Sequence, residues 1–157
     1  LTDSKSNILG GRKIMNIKKS IEFANKNPVS WVSSIENDQA RVRALGMWFA
    51  DETGYYFQIN AGTDMYKQLQ ENPKVEAGFW EPGEMFGTMM RVAGKVEFLD
   101  DIELKKRVLE DRPFLKDFGL TPENPGLIIF RIPEGEAYFW NIENTFQPKK
   151  MIKFRSK

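Results

Sequence analysis

From Val29 onward the chain alternates short runs of β-branched and aromatic residues with polar turns, and this rhythm limits its possible folds more than any other feature. Residues 29–35 (VSWVSSI) and 40–50 (ARVRALGMWFA) flank the turn Glu36-Asn37-Asp38-Gln39 and predict a hairpin. A second turn, Asp51-Glu52-Thr53-Gly54, leads into a third strand over 55–59 (YYFQI). Residues 75–81 and 86–99 predict another pair across Pro82-Gly83, the second strand long enough to bend around a closed sheet. A last hairpin is predicted for 127–132 and 136–141 over Pro133-Glu134-Gly135. Helical spacing occurs three times. Ile17, Ile21 and Ala24 precede Asn27-Pro28, and Met65 and Leu69 lie between a Thr63 or Asp64 cap and Asn72-Pro73. A third run begins at Asp100, with Glu103 three residues on, and ends at Arg112-Pro113. Six or seven strands joined mostly as hairpins, with helices before, between and near the end, predict a mainly β (α+β) antiparallel barrel with attached helices.

Residues 1–14 are polar and contain glycine, so they are expected to be a flexible arm or foreign to the natural chain, with Met15 close to its start and residues 15–157 as one domain. The chemistry of that domain is narrowed by two absences. The sequence has neither Cys nor His. This removes disulfides, thiolate nucleophiles, Ser-His-Asp triads, Cys/His zinc sites and haem held by those ligands, and no metal site is expected. Carboxylates, Lys, Tyr, Ser/Thr or an organic cofactor must do the work. The 23 basic and 22 acidic side chains leave a net charge of +1, so no overall field draws the chain to nucleic acid or anionic lipid. No run approaches the roughly 18 to 20 apolar residues of a membrane span, and no leader pattern opens the chain, which makes the cytoplasm the expected location. Neither GxGxxG nor GxxxxGK[ST] occurs.

The junction after the third strand is the most suggestive chemically. A phosphate monoester is held by fixed Arg or Lys, a hydroxyl and free N–H groups at a helix start. Arg43 lies within RVRALG, Thr63 opens the short helix, and Lys67 lies one turn in. If the second and third strands pair, Arg43 projects toward Thr63. The plainer alternative leaves Arg43 a solvated strand charge, Thr63 a cap and Lys67 on the wet face. Trp31, Trp48, Tyr55, Tyr56, Phe57, Phe79 and Trp80 read first as core, and Met85, Met89 and Met90 as core or interface. Arg91 either pairs with a carboxylate across the sheet or reaches a ligand. The dispersed carboxylates offer no acid–base couple.

The order NPVSWVSSIENDQARVRALGMWF, YYFQINAGTDMYKQLQENPKVEAGFW and MRVAGKVEFLDD followed by a helix resembles the pyridoxamine 5′-phosphate oxidase-like FMN-binding split-barrel family over residues 17–140. The resemblance implies a six-stranded Greek-key split barrel that works as a homodimer with FMN at the subunit interface. It implies that Arg43 holds the FMN phosphate with Thr63, that the backbone of Ala44 and Leu45 borders the flavin ring, and that Gln58, Ile59 and Asn60 pass alongside it. Met65 and Met89 stand where the oxidase has a phosphate-binding Lys and a flavin-contacting Gln; Lys67 is expected to replace the Lys from the next turn. Trp80, Arg91 and Trp140 complete the expected cofactor-binding set, with no catalytic residue identified. The oxidase's C-terminal Arg and His segment is not recognisable, which argues against pyridoxamine-phosphate oxidation itself, and the lack of His argues against the haem-binding and nitroimidazole-resistance relatives.

The implied function is an FMN-dependent oxidoreductase acting on an unidentified small molecule. One alternative is a flavin carrier without turnover. Another, of a different class, is a β-barrel that binds single-stranded nucleic acid through stacked aromatics and the basic tail Lys149, Lys150, Lys153, Arg155 and Lys157.

Overall fold

The structure, a computed structural model, describes residues 16–156; the expectations for 1–14 and for Met15 fall outside these. Helix α1 covers residues 16–26 and turns Ile17, Ile21, Phe23 and Ala24 onto the core. The strands that follow are β1 (Val29–Glu36), β2 (Gln39–Gly46), β3 (Phe49–Asp51) and β4 (Gly54–Asn60), then helix α2 (Asp64–Glu71) and strands β5 (Lys74–Glu81), β6 (Thr88–Lys95) and β7 (Glu97–Leu99). Helices α3 (Ile102–Asp111) and α4 (Phe114–Asp117) precede β8 (Leu127–Ile132), β9 (Glu134–Trp140) and β10 (Ile152–Arg155). Two antiparallel sheets form the halves of a split barrel. One runs β10-β9-β6-β5-β1-β2 and the other β3-β4-β8-β7.

The predicted hairpin of residues 29–35 and 40–50 forms as β1 and β2, with Trp31 opposite Ala44 and Val32 opposite Arg43. Three expected continuities break, all for one reason: the backbone leaves one sheet for the other. Residues 40–50 are two strands, because Met47 N–H donates to Pro28 O while Trp48 N–H donates to Tyr56 O in the opposite sheet. Residues 86–99 divide into β6 and β7 at Val96, whose N–H donates to Pro73 O. The expected hairpin over Pro133-Glu134-Gly135 is instead a crossing, for β8 pairs with β4 and β7 while β9 pairs with β6 and β10. Gly135 takes φ +159 there, and a Cβ on it would stand 2.0 Å from Ala93 O, so the close strand approach at this corner requires glycine.

The main core lies between the sheets, around Val32, Tyr55, Phe57, Phe79 and Phe130, with Phe57 and Phe130 stacked at 5.1 Å. A second cluster seals the far side of the four-stranded sheet, where Tyr56, Leu127 and Ile129 meet Val108 and Leu109 of α3 and Leu115 of α4. With both faces covered, β4 is buried from Gly54 to Ile59, which explains why its apolar residues do not alternate with exposed polar ones. Thr63 caps α2, and Asn72 ends it, as the sequence indicates. Helix α3 is capped by Asp101 rather than Asp100: its Oδ1 accepts from the N–H groups of Glu103 and Leu104, while Asp100 pairs with Lys105 at 2.7 Å. Most aromatics expected in the core are there. Trp31 and Trp80 are not, at 59% and 54% exposed, because they alternate with Val32 and Phe79 onto the outer face of the six-stranded sheet.

Within the C-terminal basic run, of which Lys157 lies outside the described residues, residues 152–155 form the edge strand β10, with Phe154 in the core beside Tyr55. Lys153 and Arg155 approach Glu136 and Glu134 at 3.8 and 2.9 Å, and Lys149 lies over the Tyr138 ring. This takes charge away from the nucleic-acid reading. Among the described residues no helix is long and apolar enough to cross a membrane.

Candidate functional site

Strands β1 and β2 turn their inner face toward α2, and the opening between them is a groove of about 550 Å³. Its walls include Arg43 and Leu45 of β2, Ile59 of β4, and Thr63, Met65 and Gln68 at the start of α2. Arg43 and Thr63 thus do meet. They meet across the barrel opening, however, and not through the strand pairing predicted, since β2 pairs with β1 while β3 pairs with β4.

Arg43 is held rigidly. Its Nη1 donates to Ser34 Oγ at 2.6 Å and its Nη2 to Gln68 Oε1 at 2.7 Å, and Ser34 Oγ in turn donates to Gln68 Oε1 at 2.5 Å. Both partners are almost wholly buried, Ser34 at 1% and Gln68 at 4% exposure, while Arg43 is partly open to the groove. Each bond is therefore shielded from water, and the planar guanidinium has one orientation. Desolvation lowers the Arg43 pKa, with Asp64 opposing that shift. At the groove rim, Arg41 Nε donates to Glu36 Oε2 at 2.9 Å and Gln68 Nε2 approaches Glu36 Oε1 at 3.4 Å. Those two contacts hold the Glu36 pKa below the ordinary carboxylate range.

The helix tip is ordered by its own loop. Asn60 Oδ1 accepts from Gly62 N–H at 2.8 Å, and Thr63 Oγ1 donates to Asn60 O at 2.8 Å while accepting from Tyr66 N–H at 3.4 Å. By helix geometry the N–H groups of Asp64 and Met65 have no intrahelical acceptor and point out of the tip. Such a tip favours an anion. Asp64 stands at the same place and puts a carboxylate on the groove wall.

Of the other expected residues, Leu45 and Ile59 line the groove and Asn60 shapes its loop. Ala44 faces the outer side opposite Trp31, and buried Gln58 alternates away from Ile59 on the face shared with Tyr56. Lys67 is exposed and off the groove wall, although its charge reaches Glu36. Trp80, Arg91 and Trp140 are not gathered with Arg43 within this chain: they lie on the outer face of the sheet, Trp80 and Trp140 both in register with Met89. Arg91 takes the plainer of its two expected roles, its Nε 3.0 Å from Glu76 Oε1 and its guanidinium 4.5 Å from the Tyr138 ring.

Sequence reading missed Ser34, Gln68, Glu36, Arg41 and Asp64. Two of these had a signal. Ser34 falls on the same strand face as Val32, and Gln68 falls three residues after Met65 on the buried helix face, so both are polar groups that burial obliges to find partners.

The outer face is a second distinctive surface. Val29, Trp31, Val42 and Trp80 are all more than half exposed there. The turn between β5 and β6 adds Met85 and Phe86, at 65% and 71% exposure and with φ of 48° and 74°, and Trp80 Nε1 donates to Phe86 O at 2.8 Å.

The profile of the pyridoxamine 5′-phosphate oxidase family matches residues 17–140. No curated protein matches the chain. Among solved structures, a NimC/NimA family protein of Clostridium acetobutylicum is 25% identical with a TM-score of 0.73, the match covering 88% of this chain and 94% of that one. General Stress Protein 26 of Bacillus anthracis is similar at 17% identity and a TM-score of 0.68, over 88% of this chain and 98% of its own. An FAD-binding protein of Mesorhizobium loti has 18% identity and a TM-score of 0.59, over 78% and 91%.

Proposed function

The chain belongs to the pyridoxamine 5′-phosphate oxidase family, and from that premise we propose that it is an FMN-binding flavoprotein, a cytoplasmic homodimeric oxidoreductase acting on a small molecule. The observation that carries the proposal is the state of Arg43: its hydrogen-bond acceptors are a hydroxyl, an amide and, at 3.5 Å, the Val32 carbonyl, all neutral. A guanidinium fixed by neutral acceptors is oriented without being neutralised, so its charge stays available to an anion entering the groove.

The donor set fits the phosphate end of FMN. Arg43 would bind the phosphate oxygens, and the α2 tip, ordered by Thr63 and Asn60, would orient them with its N–H groups. Leu45 and Ile59 offer an apolar wall that excludes water from a planar ring system. Asp64 works against the dianion and reduces the affinity. A bound flavin supplies the hydride and electron transfer that a chain without Cys or His lacks in its own side chains.

The homodimer is supported by the apolar outer face, since a contiguous apolar surface of this kind marks a site that is covered in use. Closing two such faces together would also bring Trp80, Arg91 and Trp140 of one copy toward the other, in keeping with a cofactor that lies between subunits.

Apoprotein titrated with FMN and with riboflavin, followed by flavin absorption, tests the reading. Arg43→Ala is expected to weaken FMN by about 10- to 100-fold, the worth of a lost charge-assisted hydrogen bond, and to leave riboflavin within about twofold. Equal losses for both ligands would remove Arg43 from the phosphate. The carrier alternative differs only in turnover: a loaded protein that neither NADH nor NADPH reduces anaerobically is a carrier.

A further inference from the structure

A second groove, of about 840 Å³, lies away from the Arg43 wall, where the ends of β5 and β6 meet β9 and β10. Its polar lining is unusually basic for a chain so nearly neutral. Four cations, Lys74, Lys95, Lys153 and Arg155, face it with two carboxylates, Glu134 and Glu136. The carboxylates are already committed, Glu134 to Arg155 at 2.9 Å and Glu136 to Lys153 at 3.8 Å. That leaves Lys74 and Lys95, and among the described residues neither has a carboxylate within ion-pair distance.

These two lysines are not scattered surface charges. They occupy directly opposed positions of β5 and β6, the cross-strand placement in which like charges repel most. An ion between them would turn that repulsion into attraction. The four cations less the two carboxylates leave a net positive charge, which favours a multiply charged anion such as a diphosphate. Ile17, Val75 and Phe154 add apolar wall to the same groove, so the site also suits a ligand with an uncharged body attached to the anion.

We propose that this groove is a binding site for a diphosphate group, separate from the flavin site, with Lys74 and Lys95 as its principal contacts. The shared chemistry belongs both to free pyrophosphate and to the diphosphate of a nucleotide. A lysine presents its ammonium as a point charge on a flexible stem, which suits a diphosphate better than the fixed geometry of the Arg43 groove.

The test is calorimetric titration of the flavin-loaded full chain with pyrophosphate and, separately, with ADP, at matched ionic strength. Both are expected to bind, and the double variant Lys74→Gln/Lys95→Gln to weaken both at least tenfold. Arg43→Ala, with its flavin content measured, is expected to change neither by more than about twofold, because binding here does not pass through the flavin site. Tighter binding of ADP than of pyrophosphate identifies a nucleotide as the ligand; equal binding identifies the inorganic anion. The double variant relieves the cross-strand repulsion, so its thermal midpoint should be no lower than the parent's, which separates lost binding from lost fold. The proposal is overturned if neither probe binds, if the double variant binds as the parent does, if binding disappears with Arg43→Ala, or if a single-stranded oligonucleotide depends on the two lysines and outcompetes both probes.

Discussion

The two faces of the six-stranded sheet are made from interleaved residues of the same strands, yet their physical states are opposite. On the inner face Val32, Phe79 and Met90 are fully buried; of the polar residues there, Ser30 donates to Leu45 O, and Ser34 and Arg43 are bound into a network with Gln68. On the outer face Val29, Trp31 and Trp80 are apolar and exposed, and no element among the described residues covers them. One face has satisfied its polar groups within the monomer, while the other has left its apolar groups for something else. The inner face therefore governs stability, and in the proposed reading it sets the ligand's geometry while the outer face is where two copies would meet.

The widest separation between the faces is expected at the neighbours Phe79 and Trp80. Phe79→Ala should cost about 3–5 kcal/mol in urea denaturation, because its ring is fully buried in the main core. Trp80→Ala should cost the monomer under about 1 kcal/mol, chiefly its bond to Phe86 O, while raising the dissociation constant of the proposed dimer about tenfold in sedimentation. Similar stability losses at both positions would erase the distinction.

A smaller effect sharpens the inner face. Gln68→Ala removes one acceptor from Arg43 and one from Ser34, and is expected to cost about 1–3 kcal/mol of stability, chiefly as the buried Ser34 hydroxyl loses its acceptor. It should also weaken FMN more than riboflavin, since the guanidinium loses its fixed direction. An unchanged ratio between the two flavins would show that Arg43 needs no such support.

The smallest expected effect is at Asp64. Asp64→Asn removes the carboxylate that would oppose the proposed phosphate at the α2 tip and should tighten FMN by about two- to fivefold, a gain of about 0.5–1 kcal/mol, with riboflavin unchanged in the same titration.

The sequence made local structure legible and left the crossings hidden. The β1–β2 hairpin and the caps of α2 rest on turn and capping residues that act within a few positions, so they could be read directly. At Met47, Val96 and Pro133 the chain exchanges one sheet for the other, and nothing in the composition of those runs marks it, because a β-rich segment looks alike whichever partner it hydrogen-bonds. Arg43 and Thr63, singled out for their chemistry, line one groove, but they reach it across the barrel opening and not through the strand pairing expected. Arg112 was not found at all: its Nη2 donates to Gly46 O at 3.0 Å and Met47 O at 2.8 Å, tying α3 to the first crossing across a separation that no local pattern reveals.

The edge strand β10 has a consequence for how the protein comes into being. Its register with β9 and the seat of Phe154 against Tyr55 and the inner core join the last described residues to a structure begun more than a hundred positions earlier. Until a ribosome has released the chain as far as Arg155, β9 keeps a bare edge and the barrel interior an unfilled socket. Folding here waits on synthesis, and the nascent barrel is most open to aggregation just before it is finished.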